Sequence, residues 1–509
     1  MKLKVKMLKD EYWYGGDTNI GFFTPLSRKS VYYANNTIVR SYGQSNTLWI
    51  SSKGRVIYSE KGYKTTFFLG LITCTSKKAE IKLYEAEYKT LKGAYLYAVQ
   101  NFMKPDGKHP NSIMFKIPQY CTWIQFEHNQ TQENILNYAK SILDNGMPAG
   151  ELIIDDGWQI QFGEWDFDPA KFSDAKKMCN ELHQLGFKVI LWICPFVSQK
   201  SKHYEYLVNN NLLVKDKENN IAMRDWWNGT DAILDLSNPM AMTWFTDYTK
   251  KIIDEFGVDG FKQDAGDAMY YKDDDVTYGS VDANTQSKLW AESAIDFDFN
   301  ELRACFQFGC RGVAQRLADK SHKWGILGLG ALLPNTLTQG ITGYLYGCPD
   351  MIGGGQIGDF KNKNKSSFDN ELFARYAEAS CLMPMMQFSL DIWTINEELK
   401  NICLKTIDLH TKYSDYILEL VKHASVTGEP IVRYMEYEFP NKGYQNITSQ
   451  YMLGNDILVA PVLDKCHTTK MVYVPEGKWQ YQDKIYSNEV VIIPAPIDEL
   501  VYLTRVKED

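Results

Sequence analysis

The spacing of apolar and polar residues divides the chain into three parts. In residues 1–117, short runs rich in β-branched and aromatic residues are separated by Gly and Asn. Residues 55–59 and 65–73 are such runs, and residues 79–84 alternate with a period of two. This pattern is typical of strands with one buried face. We therefore predict an N-terminal β-sandwich over residues 1–117.

From residue 118 the pattern changes to strand-like runs that alternate with amphipathic, helix-like stretches. In chain order, these segments lie at residues 132–145, 151–154, 175–185, 187–193, 241–256 and 258–264. Strands and helices that alternate at this spacing form parallel βα units. The pattern predicts a (β/α)8 TIM barrel with insertions over residues 118–408.

The last hundred residues return to short apolar runs. They lie at residues 456–462, 471–475 and 490–494 and are separated by Gly, Asp, Lys and Pro. This pattern predicts a C-terminal β-sandwich over residues 409–509. The predicted fold class is thus α/β, a (β/α)8 barrel flanked by two β-sandwiches.

Composition and charge narrow the range of partners. The net charge is −8, and no run of five or six like charges occurs, so neither nucleic acid nor a membrane surface is a predicted partner. Lysines interrupt the apolar residues at the N-terminus, which argues against a signal peptide. The ten cysteines form no C-x-x-C pair. These features favour a cytoplasmic protein with reduced thiols, and they leave open whether it forms a homo-oligomer.

Two further features of the composition bear on the chemistry. Aromatic residues make up 14% of the chain, with 13 Trp and 32 Tyr. Aromatic faces stack on sugar rings, but a large β-rich core would explain the same excess. The eight histidines do not combine with Cys or carboxylates at ligand spacing. We therefore predict neither a metal nor a cofactor.

Acidic residues follow two of the predicted barrel strands. Asp155 and Asp156 end one strand, and Asp264 ends another. The carboxyl ends of barrel strands carry the chemistry of this fold, so we expect these residues to face one pocket. Lys262 lies two residues before Asp264, points the same way and favours its ionised form. The alternatives are that the aspartates cap helices or form a surface pair.

Two other segments are ambiguous by themselves. Asp319 looks like an ordinary loop residue when it is considered alone. The run from Arg224 to Gly229 contains two tryptophans beside Asn and Gly. That composition suits stacking on a sugar and recognition of its hydroxyl groups, but it equally suits a loop anchored by aromatic side chains.

Several blocks together resemble glycoside hydrolase family 31 over nearly the whole chain. Residues 261–267 resemble the nucleophile block of that family, aromatic-Lys-x-Asp-x-Gly-acid. Arg303, Asp319 and Trp324 keep the spacing of its acid/base block. Further matching blocks lie at residues 349–354, 450–462 and 472–479.

The resemblance implies a retaining α-glycosidase in which Asp264 is the nucleophile and Asp319 is the acid/base. Their carboxyl groups should then lie about 5–6 Å apart. The predicted substrate-binding residues are Asp155, Asp156, Trp227, Lys262, Arg303, Trp324, Asp350, Trp192 and Trp123. The predicted partner is a small oligosaccharide or glycoside.

Within the family, the blocks resemble the branch that contains myogenesis-regulating glycosidase and bacterial α-galactosidases. The chain departs from the usual α-glucosidase pattern at Arg316, where tryptophan is common, and at residues 387–389, where Gln-Phe-Ser replaces Arg-x-His. These departures favour an α-galactoside as substrate. The alternatives are α-glucosidase, α-N-acetylgalactosaminidase, α-xylosidase or transglycosylase activity, or a sugar-binding protein without catalysis.

Overall fold

The computed structural model describes residues 1–361 and 368–507. At its centre, eight parallel strands form the barrel, with antiparallel sheets before and after it along the chain. The predicted fold class is confirmed. None of the helices in the described ranges is both long and apolar enough to cross a membrane.

The N-terminal region packs two sheets against each other. Its elements are β1 (Lys2–Lys6), β2 (Trp13–Asp17), β3 (Val31–Asn35), β4 (Gln44–Ser51), β5 (Arg55–Tyr58), β6 (Lys64–Phe68), β7 (Leu71–Thr75), β8 (Lys82–Glu85) and helix α1 (Leu91–Phe102). One sheet has the order β1-β7-β6-β3, and the other contains β2, β4, β5 and β8. Trp13, Trp49 and Phe67 lie in the core between them.

Helix α1 differs from the strands and turns predicted for this region. Its buried residues include Leu91, Ala94, Tyr95 and Ala98, which recur at the helical spacing of three and four. The Thr90 side chain accepts the N–H of Gly93 and caps the first turn. The sequence pattern missed this helix because it contains two tyrosines and a valine, which are typical of strands.

The barrel region contains fourteen strands and nine α-helices within its described residues. The strands are β9 (Gln119–Cys121), β10 (Glu151–Ile154), β11 (Gln159–Gln161), β12 (Glu164–Phe167), β13 (Lys188–Ile193), β14 (Phe196–Val197), β15 (Arg224–Trp226), β16 (Gly229–Ile233), β17 (Gly260–Gln263), β18 (Phe299–Leu302), β19 (Cys305–Phe306), β20 (Ala314–Arg316), β21 (Gly347–Cys348) and β22 (Gln387–Phe388). The helices are α2 (Trp123–Phe126), α3 (Gln132–Asp144), α4 (Ala175–Gln184), α5 (Tyr204–Asn209), α6 (Pro239–Phe256), α7 (Ala283–Glu292), α8 (Leu329–Ile341), α9 (Asn370–Cys381) and α10 (Glu397–Thr427).

Eight of these strands form the parallel barrel, in the order β21-β20-β18-β17-β13-β10-β9-β22. A parallel bridge between Met351 and Gln387 brings the two ends of the sheet together. Strand β13 is buried over Val189–Ile193, as expected for a strand covered on both faces. In register, Lys262 lies between Trp192 of β13 and Glu301 of β18, so these residues share one level of the barrel.

The C-terminal region contains β23 (Val432–Arg433), α11 (Met435–Glu438), β24 (Tyr451–Leu453), β25 (Ile457–Val459), β26 (Thr469–Val474), β27 (Trp479–Tyr481), β28 (Lys484–Tyr486), β29 (Glu489–Pro494) and β30 (Tyr502–Arg505). They form a six-stranded and a two-stranded antiparallel sheet. The predicted boundary between residues 408 and 409 falls inside the continuous helix α10. The first strand of the C-terminal region begins at Val432.

Candidate active site

A cavity of about 410 Å³ opens at the carboxyl ends of the barrel strands. Cavities of roughly 300–1,000 Å³ are typical of small-molecule sites, and this face carries the active site in barrels of this type. Nine residues predicted from the sequence line it: Trp123, Asp155, Asp156, Trp192, Trp227, Lys262, Asp264, Arg303 and Asp319. The fold thus gathers residues from distant parts of the chain into one pocket.

Two predicted residues are not among the described residues that line this cavity. The indole Nε1 of Trp324 donates to a carboxylate oxygen of Asp369 at 3.0 Å. Asp350 is sealed behind the pocket wall, where it accepts a hydrogen bond from Arg316 at 3.0 Å. In this structure Trp324 and Asp350 therefore contact neighbouring residues and do not face the cavity.

Asp264 directly follows β17, and its N–H continues the barrel ladder by donating to the carbonyl of Ile193 at 2.9 Å. Its Oδ1 accepts from Arg303 Nε at 2.7 Å and from the N–H of Ala265 at 2.9 Å. Its Oδ2 accepts from Trp192 Nε1 at 3.1 Å. Ala265 adopts a φ of +57°, and this tight turn aims the carboxylate across the pocket.

The charges around Asp264 keep it ionised. Burial by itself raises the pKa of this carboxyl. The positive charge of Arg303, with smaller contributions from Lys262 and Arg316, outweighs burial and holds the pKa of Asp264 well below its usual range. Because the pKa is lower in the folded state, the ionised group stabilises the fold above its unfolded pKa of about 4. That contribution is lost as the pH falls through the folded-state pKa.

In a plot of kcat/KM against pH, the acidic limb is the fall in activity at low pH. Replacing Arg303 by Gln is expected to move this limb to higher pH. The variant loses the largest charge that lowers the pKa of Asp264, while burial, which raises it, remains. The pH dependence of kcat/KM for wild type and variant measures the shift. Arg311→Gln removes an exposed arginine and should leave the limb in place. An unchanged limb in Arg303→Gln would contradict this account of the charge on Asp264.

The N-terminal region holds Arg303 in position. Asp267 accepts from both terminal nitrogens of Arg303, at 3.1 and 2.7 Å, and it also accepts the N–H of Gly43 at 3.3 Å. Gln44 donates from Nε2 to the carbonyls of Arg303 and Arg316, at 2.6 and 2.7 Å. Strand β19 pairs with β4 beside these contacts. The N-terminal region therefore helps to build the site.

Asn19 and Tyr42 also reach the cavity from the N-terminal region. Sequence reasoning missed both, because they lie more than 200 residues before Asp264 and outside the motifs. The Tyr42 ring lies 5.3 Å from the Arg303 guanidinium carbon. Trp227 lies 5.6 Å from the same carbon and is 46% exposed. Two aromatic rings therefore lie beside the guanidinium group at the mouth of the pocket.

A second ion pair lies on the neighbouring wall. Lys262 Nζ is 2.7 Å from Asp155 Oδ2, and Cys121 Sγ is 3.1 Å from the same oxygen. Lys262 thus pairs directly with Asp155 and acts on Asp264 through its charge. Asp156 accepts from Gln159 at 2.8 Å and from Asn228 at 2.6 Å. This wall presents hydrogen-bonding groups that are suited to sugar hydroxyls.

Asp319 occupies a different part of the same cavity. Its side chain is 32% exposed, and its Oδ1 is 2.6 Å from Arg316 Nη1. A Cβ atom at Gly355 would lie 2.8 Å from the Asp319 carboxyl group, so this glycine allows the close approach of the neighbouring loop. Among the carboxyl groups of the site, Asp264 is thus buried and Asp319 is accessible. Within the described residues, no three His, Cys, Asp or Glu side chains are grouped so that they could bind a metal.

A parallel barrel with two candidate carboxyl groups in one pocket is the arrangement of a barrel glycosidase. Residues 118–308 match the model of the glycosyl hydrolases family 31 TIM-barrel domain, and residues 428–506 match that of the family 31 C-terminal domain. Together these ranges take up more than half of the chain. The chain belongs to glycoside hydrolase family 31.

Curated relatives agree with this assignment. Myogenesis-regulating glycosidase of Mus musculus is 32% identical over 420 residues, which are 80% of this chain and 59% of the relative. Alpha-xylosidase XylQ of Lactiplantibacillus pentosus is 23% identical over 468 residues, which are 85% of this chain and 58% of the relative. The chain therefore spans less than two thirds of the length of these relatives.

Solved structures show the same fold at low identity. A family 31 α-xylosidase from a soil metagenome, complexed with xylose, superposes with a TM-score of 0.85 at 20% identity, covering 99% of this chain and 79% of the other. A family 31 sulfoquinovosidase from E. rectale, in complex with an aza-sugar inhibitor, gives a TM-score of 0.85 at 16% identity, covering 100% of this chain and 83% of the other.

Proposed function

We propose that the chain is a retaining exo-α-glycosidase that hydrolyses a terminal α-galactoside. Asp264 attacks the anomeric carbon, and Asp319 protonates the leaving oxygen and then deprotonates the attacking water. The observation that carries this proposal is the contrast between the two carboxyl groups in one pocket. Asp264 is buried and bonded to Arg303 and Trp192, whereas Asp319 is accessible.

This contrast suits the two roles. A nucleophile has to be ionised before the substrate reacts, and the cations around Asp264 maintain that state. An acid/base has to exchange protons with the leaving group and with water, which requires access to the pocket. The hydrogen bonds to both oxygens of Asp264 also fix the direction from which it attacks.

An α-linked, terminal sugar is supported by the relatives and by the size of the pocket. Relatives with 20–24% identity include enzymes named α-xylosidase, α-glucosidase 2 and sulfoquinovosidase, so α-glycosides with different sugars fit this family. The cavity of about 410 Å³ suits one sugar ring with part of its aglycone. Asp155, Asp156 and Lys262 would bind its outer hydroxyl groups.

The choice of galactose rests on the departures from the α-glucosidase pattern. Ser389 stands where that pattern has a histidine, and its hydroxyl oxygen accepts the N–H of Ile124 at 2.9 Å. Gln387 donates to Glu301 at 2.7 Å and to Gln119 at 3.1 Å. Neither residue is among the described residues that line the cavity, which supports a terminal sugar other than glucose.

The ten cysteines support a reducing compartment, such as the cytoplasm, as the place of action. All ten are free thiols, and nine of them are buried. Structural disulfides are the usual feature of proteins in oxidising compartments.

A panel of p-nitrophenyl α-glycosides tests the proposed function, with the galactoside, glucoside, xyloside and N-acetylgalactosaminide compared by kcat/KM. We expect the galactoside to be the best substrate and the α-anomer to be the first product seen by proton NMR. A preference for another sugar would overturn the specificity. Release of the β-anomer would overturn retention, and turnover of no α-glycoside, in the panel or as natural oligosaccharides, would overturn the activity.

A further inference from the structure

Arg316 lies at the centre of a buried cluster of charges beside Asp319. It is the last residue of β20, and its side chain is 2% exposed. Its Nη1 lies 2.6 Å from Asp319 Oδ1 and 3.0 Å from Asp350 Oδ1, and its Nε lies 3.2 Å from Glu301 Oε1. One guanidinium group thus faces three carboxyl groups.

The three carboxyl groups differ in their access to the pocket. The side chains of Asp350 and Glu301 are 0% and 3% exposed, whereas that of Asp319 is 32% exposed. Asp350 is further fixed by the N–H groups of Lys320, at 2.7 Å, and Met351, at 2.8 Å. The buried carboxyl groups of Asp350 and Glu301 therefore contact Arg316 on the side away from the pocket. Arg316 in turn contacts Asp319, which is open to the pocket.

We propose that Arg316 is the positioning residue for Asp319: it fixes the carboxyl group toward the leaving oxygen, and Asp350 and Glu301 keep Arg316 in place while Asp319 gains and loses its proton. This inference rests on the proposed function of Asp319 as the acid/base. It assigns a role to the arginine that stands where tryptophan is usual in the α-glucosidase pattern.

Two of the three carboxyl groups keep the buried charge of Arg316 compensated when Asp319 is protonated. A buried arginine that loses its only partner is strongly destabilising, and Asp319 becomes neutral in each catalytic cycle. Because Asp350 and Glu301 also contact Arg316, its charge stays compensated in both states. Burial raises the pKa of Asp350, and the positive charge of Arg316 opposes that rise.

Leaving-group dependence tests the proposal, because only an acid/base defect is relieved by a leaving group that needs no proton. In Arg316→Gln we expect kcat/KM for a disaccharide to fall by about 10²-fold, within the range for general acid catalysis. For the matching α-glycosyl fluoride we expect a fall of less than about 3-fold, since fluoride departs unaided. Arg316→Lys keeps the charge against Glu301 and Asp350 and should lie between wild type and Arg316→Gln.

Arg433→Gln is the matched control. Arg433 is also buried, between Glu429 at 3.1 Å and Glu438 at 2.5 Å, but it lies in the C-terminal region. Arg433→Gln should lower the melting temperature. It should leave unchanged the ratio of kcat/KM for the disaccharide to kcat/KM for the α-glycosyl fluoride. If Arg316→Gln does not fold, the same ratio measured in Arg316→Lys tests the positioning role.

Equal losses with both substrates in a folded Arg316 variant, or no loss with either, would overturn the positioning role. A wild-type chain that cleaves neither substrate would instead overturn the proposed function. The two failures are therefore distinguishable.

Discussion

Asp264→Asn is expected to lower kcat/KM for the preferred α-glycoside on the order of 10⁴-fold or more, the scale of loss when a nucleophile is removed. Asparagine has nearly the same shape, but its neutral amide cannot form the glycosyl ester. Arg303 keeps its two contacts with Asp267, so the buried guanidinium remains paired and the variant should fold. Steady-state kinetics and a thermal melt measure both effects.

The matched control lies at the opposite end of the same strand. Asp259 immediately precedes β17, and its carboxylate contacts His183 at 2.8 Å and Lys188 at 3.0 Å. The amino ends of barrel strands serve stability. Asp259→Asn should therefore lower the melting temperature and leave kcat/KM close to wild type.

Azide provides a second test of the nucleophile. In Asp264→Ala the shortened side chain leaves space for this small anion at the anomeric carbon. We expect azide to restore turnover and to give a β-glycosyl azide, because it attacks from the side that Asp264 uses. Activity of Asp264→Asn within tenfold of wild type would remove Asp264 from the mechanism.

Asp319→Ala is expected to show the second largest effect, and one that depends on the leaving group. We expect kcat/KM to fall about 10³–10⁴-fold for a disaccharide, whose leaving oxygen needs a proton. The first step with an α-glycosyl fluoride should remain fast, because fluoride needs little assistance. A pre-steady-state burst of fluoride measures that step separately from the slowed second step.

The two variants also differ in the product that azide gives. In Asp319→Ala, azide replaces water in the second step, so the predicted product is an α-glycosyl azide. The opposite configurations from the Asp264 and Asp319 variants assign the two roles. Equal losses with the fluoride and the disaccharide would contradict the role of Asp319 as the acid/base.

The barrel and the deep part of the site follow from local patterns in the sequence. Strands β10, β13 and β17 are short runs between helices with clear amphipathic spacing, and the chain then places Asp155 and Asp264 at their carboxyl ends. Residues two apart on a strand point the same way, so Lys262 could be placed beside the pocket. Asp319 required the spacing of a family motif, since it has no distinguishing local pattern.

The other parts of the site depend on contacts between distant segments. Tyr42 lines the pocket, and Gln44 bonds to the carbonyls of Arg303 and Arg316. Both lie next to the pairing of β19 with β4, which no local pattern predicts. Arg316 could be recognised from the sequence as an unusual residue, but its three carboxyl partners come from three separate places in the barrel. Trp324 matches the family spacing, yet its side chain bonds to Asp369 beside the pocket.

The central claim is that Asp264 forms a covalent bond to the sugar. Incubation with 5-fluoro-α-galactosyl fluoride, followed by digestion and peptide mass spectrometry, tests it most directly. The fluorine at C5 slows both steps, and the fluoride leaving group lets the first step proceed, so the intermediate accumulates. We predict one added 5-fluorogalactosyl group on the peptide that contains Asp264, and none in Asp264→Asn. A label on another residue, or hydrolysis of galactosides with no label at Asp264, would contradict the account.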